Sequence, residues 1–203
     1  YITNNKLAVF KGKINNNVEE NRIDFEIEDT LQLNDLTFNL GTSYRRDEIV
    51  SKTFFDGKVA NEIYRVFGAT TWQVVEPLRL HLSFMSEREN HLGVVTSPRA
   101  AINYRLNDES GLRAVYSESV RSPDLYEQAA SWNYQVSQIE TEGELFGDTY
   151  FVTAESEGGL KRERIRSSEI GYYGLHFNQA FELDVKILHE QLSDILDQNL
   201  ALE

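Results

Sequence analysis

The residues from 97 to 123 read SPRAAINYRLNDESGLRAVYSESVRSP, in which side chains of opposite polarity alternate on both sides of a polar turn. Ala100, Ile102 and Tyr104 fall on one face of the first arm because successive strand side chains point to opposite sides. Residues 107–110, followed by glycine, tolerate tight backbone angles. The segment therefore predicts an antiparallel β-hairpin.

Two prolines flank this hairpin. Pro98 and Pro123 are expected to mark its outer limits, because proline has no N–H to donate to a strand ladder. The apolar face of the hairpin fits either the core of a soluble sandwich or the lipid around a barrel. The hairpin alone leaves both open.

The same alternation recurs along the chain. It is nearly perfect in RIDFEIEDTLQL, residues 22–33, and clear in the segment that begins at Leu36. About nine strands are predicted: at 5–13, at 22–33, from 36, at 64–74, at 78–87, the two hairpin arms, and at 168–177 and 181–191. The fold class is therefore all-β, an antiparallel up-and-down meander.

The connections between the predicted strands alternate in length. Those at 14–20, 46–63, 88–96 and 121–166 are long or medium, and those at 34–35, 75–77, 107–110 and 178–180 are short. Alternate connections of a meander lie at the same end of the sheet. Outer-membrane barrels have this asymmetry, with short periplasmic turns and longer extracellular loops.

Composition excludes several classes of protein. The chain has 203 residues, a net charge of -13 and no cysteine. The negative charge argues against nucleic-acid binding, which requires an excess of Lys and Arg. The absence of cysteine excludes disulfide scaffolds and thiolate metal sites. No segment approaches the roughly 20 apolar residues of a membrane-spanning helix, whereas a barrel strand needs only about 9–11 residues of alternating polarity.

Charged side chains recur on the second face of strand after strand. Closing a small barrel around them would cost several kcal/mol for each unpaired charge. A wide, wet lumen avoids that cost and places the apolar face in lipid, with tyrosines and Trp72 at the membrane interfaces. The pattern therefore favours lipid over a protein core.

Several short motifs carry a family resemblance. They are Pro98-Arg99, Arg121-Ser122-Pro123, Glu169-x-Gly171 and Asp184. In this order, within residues 22–196, the sequence resembles the barrel of TonB-dependent outer-membrane receptors. The resemblance implies a barrel of about 22 strands in the outer membrane of a Gram-negative bacterium. Such a receptor contains an N-terminal plug and imports a scarce nutrient such as a siderophore, cobalamin or a glycan.

The resemblance also implies the partners: outer-membrane lipid, a small-molecule nutrient ligand, and the TonB complex acting through the plug. No plug-like segment or TonB-contacting box is recognisable before the first predicted strand. We therefore expect residues 1–203 to be an internal fragment of the barrel, without the plug and the remaining strands, that does not transport by itself.

Catalytic, cofactor and metal sites are not predicted. His81, His91, His176 and His189 lack the close spacing of a helix-borne metal pair. The acidic residues Asp24, Glu26 and Glu28 fit a strand face towards a wet lumen. No G-x-S-x-G nucleophile elbow occurs. The chain is therefore not expected to be an enzyme.

The segment 121–166 is the candidate for ligand contact. Long loops without structure of their own are uncommon unless they have a function. Aromatic faces combined with a few polar groups suit sugars and siderophores. The candidate residues are Arg121, Asp124, Tyr126, Trp132 and Tyr134. The plainer interpretation is a solvated cap held by salt bridges.

A second function class stays open on the sequence alone. A soluble or secreted all-β binding module, such as a carbohydrate-binding one, would show similar strands, and its acidic charge would keep it soluble. Dependence on detergent would discriminate the two.

Overall fold

The computed structural model describes residues 8–11, 17–55, 57–136, 138–141, 144–146, 150–156 and 158–196, with side chains outside 8–11 and 132–154. Its elements are β1 (Ala8–Lys11), β2 (Glu19–Leu33), β3 (Leu36–Ser51), β4 (Gly57–Val75), β5 (Leu78–Glu89), β6 (Gly93–Asn107), β7 (Ser110–Arg121), α1 (Leu125–Ala129), β8 (Ser131–Val136), β9 (Gln138–Thr141), β10 (Glu144–Phe146), β11 (Tyr150–Glu155), β12 (Glu163–His176) and β13 (Phe181–Ser193).

Eight of these strands form one sheet, in the order β13-β12-β7-β6-β5-β4-β3-β2. Strands that follow one another in this sheet lie side by side, and β12 pairs antiparallel with both β13 and β7. The predicted all-β, up-and-down meander is confirmed. The described helix, α1, has five residues, and no helix in the described part is long and apolar enough to cross a membrane.

The prediction of a ninth meander strand at 5–13 is wrong. β1 pairs instead with β9, from Ala8 opposite Thr141 to Lys11 opposite Gln138, in a small sheet with β10. The alternation identifies a strand, but the identity of its partner depends on contacts far apart in the chain.

Two connections are shorter than predicted. β3 and β4 leave only 52–56 between them, and β5 and β6 leave only 90–92. The added strand residues include charged ones such as Asp47, Glu48 and Lys58, and polar and apolar residues do not alternate among them. Their backbone continues the ladder although the hydrophobic pattern has ended.

The other connections are short at one end of the sheet and long at the other. The turns at 34–35, 76–77, 108–109 and 177–180 are short, as predicted. The segment 122–162 is long but is not a plain loop, since it contains α1 and the strands β8 to β11.

Pro98 does not end the hairpin. It lies inside β6, opposite Phe84 of β5. The pairing of β6 with β7 begins one residue later, at Arg99 opposite Ser117. Proline is therefore tolerated because its missing N–H falls where pairing on that side ends. Pro123 does follow the last residues of β7, as predicted.

The chain divides into two compact units. Unit 1 comprises 1–22, 47–61 and 124–160, and unit 2 comprises 23–46, 62–123 and 161–203. In unit 1, the buried residues Ile49, Phe55 and Leu125 form a small apolar cluster. In unit 2, the large apolar side chains of the sheet are exposed, for example Ile170 at 65% and Ile187 at 73%.

Candidate functional site

Asp124 of unit 1 caps helix α1. Its carboxylate accepts a hydrogen bond from the backbone N–H of Glu127 at 2.8 Å, and the Glu127 carboxylate accepts one from the Asp124 N–H, also at 2.8 Å. This capping box satisfies two N–H groups that the helix itself cannot. Asp124 was predicted as a ligand contact, and the structure shows what holds it in place.

Tyr126 lies beside the apolar cluster of unit 1. Its ring is 4.8 Å from that of Phe55 and 6.1 Å from that of Phe54, measured between centroids. Burial raises the pKa of Tyr126 above its ordinary value, and the charges of Glu20 and Asp124 act in the same direction. The phenol is therefore neutral at physiological pH, and its ring serves as packing surface.

Trp132 and Tyr134 lie on β8, which pairs with β11. Trp132 stands opposite Ala154, and Tyr134 stands opposite Val152. Residues two apart on a strand share a face, so the backbone places both on one side of this hairpin. Their side chains lie outside the described part of the structure.

Arg121 of unit 2 ends β7 and is paired. Its Nε lies 2.5 Å from Oε2 of Glu163, while the guanidinium remains half exposed. The Arg121 bond, followed by the backbone N–H of Leu196, lowers the pKa of Glu163.

The sequence did not predict the contacts of Arg162. Its guanidinium lies 3.1 Å from the carboxylate of Glu89 and donates to the carbonyl oxygens of Leu92 and Gly93, each at 2.9 Å. It also donates to the hydroxyl of Ser122 at 3.1 Å, which in turn donates to Glu89 at 2.8 Å. The sequence shows only a run of basic residues, Lys161, Arg162, Arg164 and Arg166, and Glu89 is far away in sequence.

We call one side of the eight-stranded sheet the polar face. It carries Arg65, Arg99, Arg113 and Glu169, together with His81, which lies 3.1 Å from the Thr71 hydroxyl. Opposite charges on this face are paired, as in Arg65–Glu87 at 2.5 Å and Arg113–Glu169 at 3.5 Å. Pairs on a partly exposed wall fit a wet interior better than a dry core.

We call the other side the apolar face. Registry places one row of directly opposed residues across six strands: Trp72, Leu80, Ile102, Ala114, Ile170 and Ile187. Phe181 lies on the same side because it stands opposite His176, which shares a face with Gly174 and Tyr172.

The strands β2 and β3 continue the apolar face. A Cβ built on Gly68 would meet Leu40, so Leu40 and Phe38 share the side of Gly68. Asn39, on the opposite side, bonds Thr30 at 3.4 Å, which leaves Phe25 with Leu40. Phe25, Phe38, Leu82, Ile102 and Phe181 therefore share one face of the sheet, as the period of two in the sequence predicts.

Tyrosines lie near the end of the apolar face that faces the long connections. The rings of Tyr44 and Tyr64 are 5.0 Å apart, and Tyr116 donates to Glu118 at 2.6 Å. Trp72 and Tyr104 lie near the short-turn end. Two aromatic girdles flanking an apolar band are typical of membrane barrels.

The sequence matches, over residues 3–201, the family described as "TonB dependent receptor-like, beta-barrel". The chain belongs to this family.

Solved structures of TonB-dependent receptors have the same fold. The siderophore receptor PirA from Pseudomonas aeruginosa matches with a TM-score of 0.68 at 14% identity, over 86% of this chain and 32% of that one. PirA from Acinetobacter baumannii matches with a TM-score of 0.64 at 15% identity, over 86% of this chain and 27% of that one.

The ferric enterobactin receptor PfeA (mutant G324V) from Pseudomonas aeruginosa matches with a TM-score of 0.66 at 15% identity, over 86% and 27% of the two chains. The chain thus spans about a third or less of these receptors. No curated protein matches the sequence.

The receptor motifs acquire structural roles in this chain. The hydroxyl of Ser122, in the Arg-Ser-Pro motif, accepts a hydrogen bond from Arg162 and donates one to Glu89. Glu169 of the Glu-x-Gly motif pairs with Arg113. Gly171, two residues on, shares the polar face with Glu169.

Proposed function

We propose that this chain forms part of the membrane-spanning barrel of a TonB-dependent receptor in the outer membrane of a Gram-negative bacterium. In this arrangement the apolar face contacts lipid and the polar face lines a wet lumen. The support is the course that the edge of the apolar band takes across the sheet.

That edge runs obliquely to the strands. We measure the position of the edge from the row that contains Trp72 and Ile170. In β4 the first charged residue on the apolar face is Glu62, ten residues from Trp72 (72 − 62). In β12 it is Arg166, four residues from Ile170 (170 − 166). In β5 the first charged residue is Arg88, at an intermediate distance from the row. In β7 it is Glu118, which stands opposite Arg166.

The slope of this edge gives a strand tilt. The edge moves by six residues, about 20 Å, over four interstrand spacings of about 4.8 Å. A flat membrane boundary therefore crosses the strands at about 45°, which matches the roughly 35–45° tilt of outer-membrane barrels. A soluble sandwich has no reason for an oblique edge, because its apolar face ends where its strands end.

The experiment uses Trp72 as a depth probe. In the complete receptor, once Trp132 and every tryptophan outside this chain are replaced by Phe, Trp72 is the one remaining tryptophan, since this chain has two. In bilayers of brominated lipid we expect strong quenching of its fluorescence. Fluorescence equal to that in unbrominated lipid, from a folded and inserted protein, would contradict the proposal.

We further propose that the receptor binds a small-molecule nutrient at its long-connection end and is energised by the TonB complex through a plug. Arg121, Asp124, Tyr126, Trp132 and Tyr134 are the candidate contacts. Because Asp124 is bound within the helix cap and Tyr126 packs on Phe55, Trp132 and Tyr134 are the first two to test.

Ferric siderophores are the first ligand class to test, because the solved neighbours are siderophore and ferric enterobactin receptors. In the complete receptor, we expect Trp132→Ala to weaken binding of the ferric siderophore that the receptor takes up. The matched control is Trp72→Ala, which lies on the apolar face. Equal affinities of the two variants would contradict a role for Trp132.

A further inference from the structure

The apolar face carries an arginine pair just beyond the edge of the apolar band. Arg164 and Arg166 lie on β12, and Nη1 of Arg164 and Nε of Arg166 lie 2.8 Å and 3.5 Å from the same oxygen of Glu118. The second oxygen of Glu118 accepts the Tyr116 hydroxyl at 2.6 Å. One carboxylate therefore orients two guanidinium groups.

The cluster has more donors than its own acceptor can use. Each guanidinium has five N–H donors in a planar fork, and the structure engages one nitrogen of each with Glu118. The Arg166 side chain is 50% exposed and that of Arg164 is 35% exposed. The two arginines and one glutamate leave a net positive charge with open donor forks.

The neighbouring strand β13 adds polar groups beside the arginines. His189 stands opposite Ser168, and Gln191 stands opposite Arg166. Directly below, Ile170 opposes Ile187, both strongly exposed within the apolar band. Acyl chains against this row would therefore bring their headgroup to the height of the arginines.

We propose that this cluster binds a phosphate group of an anionic lipid in the leaflet around the long-connection end. The inference rests on the proposed membrane function. Arginine forks match phosphate oxygens in bidentate geometry.

The experiment uses the complete receptor in nanodiscs of phosphatidylcholine that contain a minor fraction of diphosphoryl lipid A. Native mass spectrometry of the released protein counts the lipid A molecules that remain bound. We expect the double variant Arg164→Gln, Arg166→Gln to retain about tenfold less lipid A, as the loss of a charge-assisted hydrogen bond predicts.

The control variant is Arg99→Gln, Arg113→Gln, which removes the same charge from the polar face and should retain lipid A like the unaltered receptor. Should the double variant misfold, the single variant Arg166→Gln replaces it, because the Nε of Arg166 lies farther from Glu118 than the Nη1 of Arg164. We expect this variant also to retain less lipid A than the unaltered receptor. Retention that is equal in the arginine variants and the control overturns this inference and leaves the barrel proposal standing. Failure of the unaltered receptor to fold into any bilayer overturns both.

Discussion

Arg162 and Glu89 form a buried ion pair, with Nη2 of Arg162 3.1 Å from Oε2 of Glu89 and the Glu89 side chain only 2% exposed. The same guanidinium donates hydrogen bonds to the carbonyl oxygens of Leu92, in the 90–92 connection, and of Gly93, the first residue of β6. A single arginine therefore fixes the start of β12 to the connection between β5 and β6.

Removing one partner of this pair should be costly. Arg162→Met removes the cation that lies 3.1 Å from the buried Glu89 carboxylate, and breaking a buried ion pair costs about 3–5 kcal/mol. Thermal unfolding of the receptor in detergent measures it. Arg105→Met is the control, because its pair with Glu76 is exposed and such pairs contribute about 0–1 kcal/mol. Equal losses in the two variants would contradict the role assigned to Arg162.

The pair between Glu163 and Arg121 should make stability depend on pH. Glu163 lies beyond the charged edge of the apolar band, and its pKa is lowered in the folded protein by Arg121 and the Leu196 N–H. Its contribution is therefore complete above the unfolded value of about 4.3 and is lost as the pH falls through the lower folded pKa.

The measurement compares the unaltered receptor with Glu163→Gln in unfolding experiments from neutral to acidic pH. We expect the unaltered protein to be more stable at neutral pH, and the difference to shrink under acid. A difference that does not change with pH would show that the carboxylate charge is not responsible.

Asp124 should act mainly through the helix cap. Asp124→Ala removes the acceptor for the Glu127 N–H, at an expected cost of about 1 kcal/mol, whereas Asp124→Asn keeps a capping oxygen and should cost much less. Local hydrogen exchange of the α1 amides reports the difference. If both variants exchange alike, the capping box does not stabilise α1.

The oblique edge of the apolar band predicts different environments within one row of the sheet. Registry runs from Thr70 through Leu82, Ala100, Tyr116 and Ser168 to His189. With strands tilted by about 45°, a thiol at position 70 lies in the hydrocarbon and one at position 189 lies near its edge. A water-soluble maleimide should therefore label His189→Cys much faster than Thr70→Cys. Equal labelling rates at positions 70 and 189 would contradict the strand tilt.

Much of the sheet was predictable because its residues obey a period of two. The faces of Leu82, Ile102 and Phe181, and all four short turns, follow from alternation and turn chemistry alone. The strand ends beyond the band, at Asp47 and Lys58, were missed because polar and apolar residues do not alternate there.

Long-range partners were not predictable. β1 has the pattern of a strand, yet nothing in 5–13 indicates pairing with β9. Arg162 was visible as a basic residue, but its partner Glu89 and the Ser122 hydroxyl come together only through the fold. The capping role of the ligand candidate Asp124 was not predictable either, since it requires Glu127 to lie in helical register with it.

The central claim is that the apolar face contacts lipid, and two adjacent residues test it most directly. The chain has no cysteine, so His81→Cys and Leu82→Cys each introduce a single thiol into it, on opposite faces of β5. In the complete receptor, inserted in the outer membrane, we expect a membrane-impermeant maleimide to label position 81 from the wet lumen and to leave position 82 unlabelled. Labelling of position 82 as fast as position 81 would contradict the lipid-facing assignment and the membrane barrel with it.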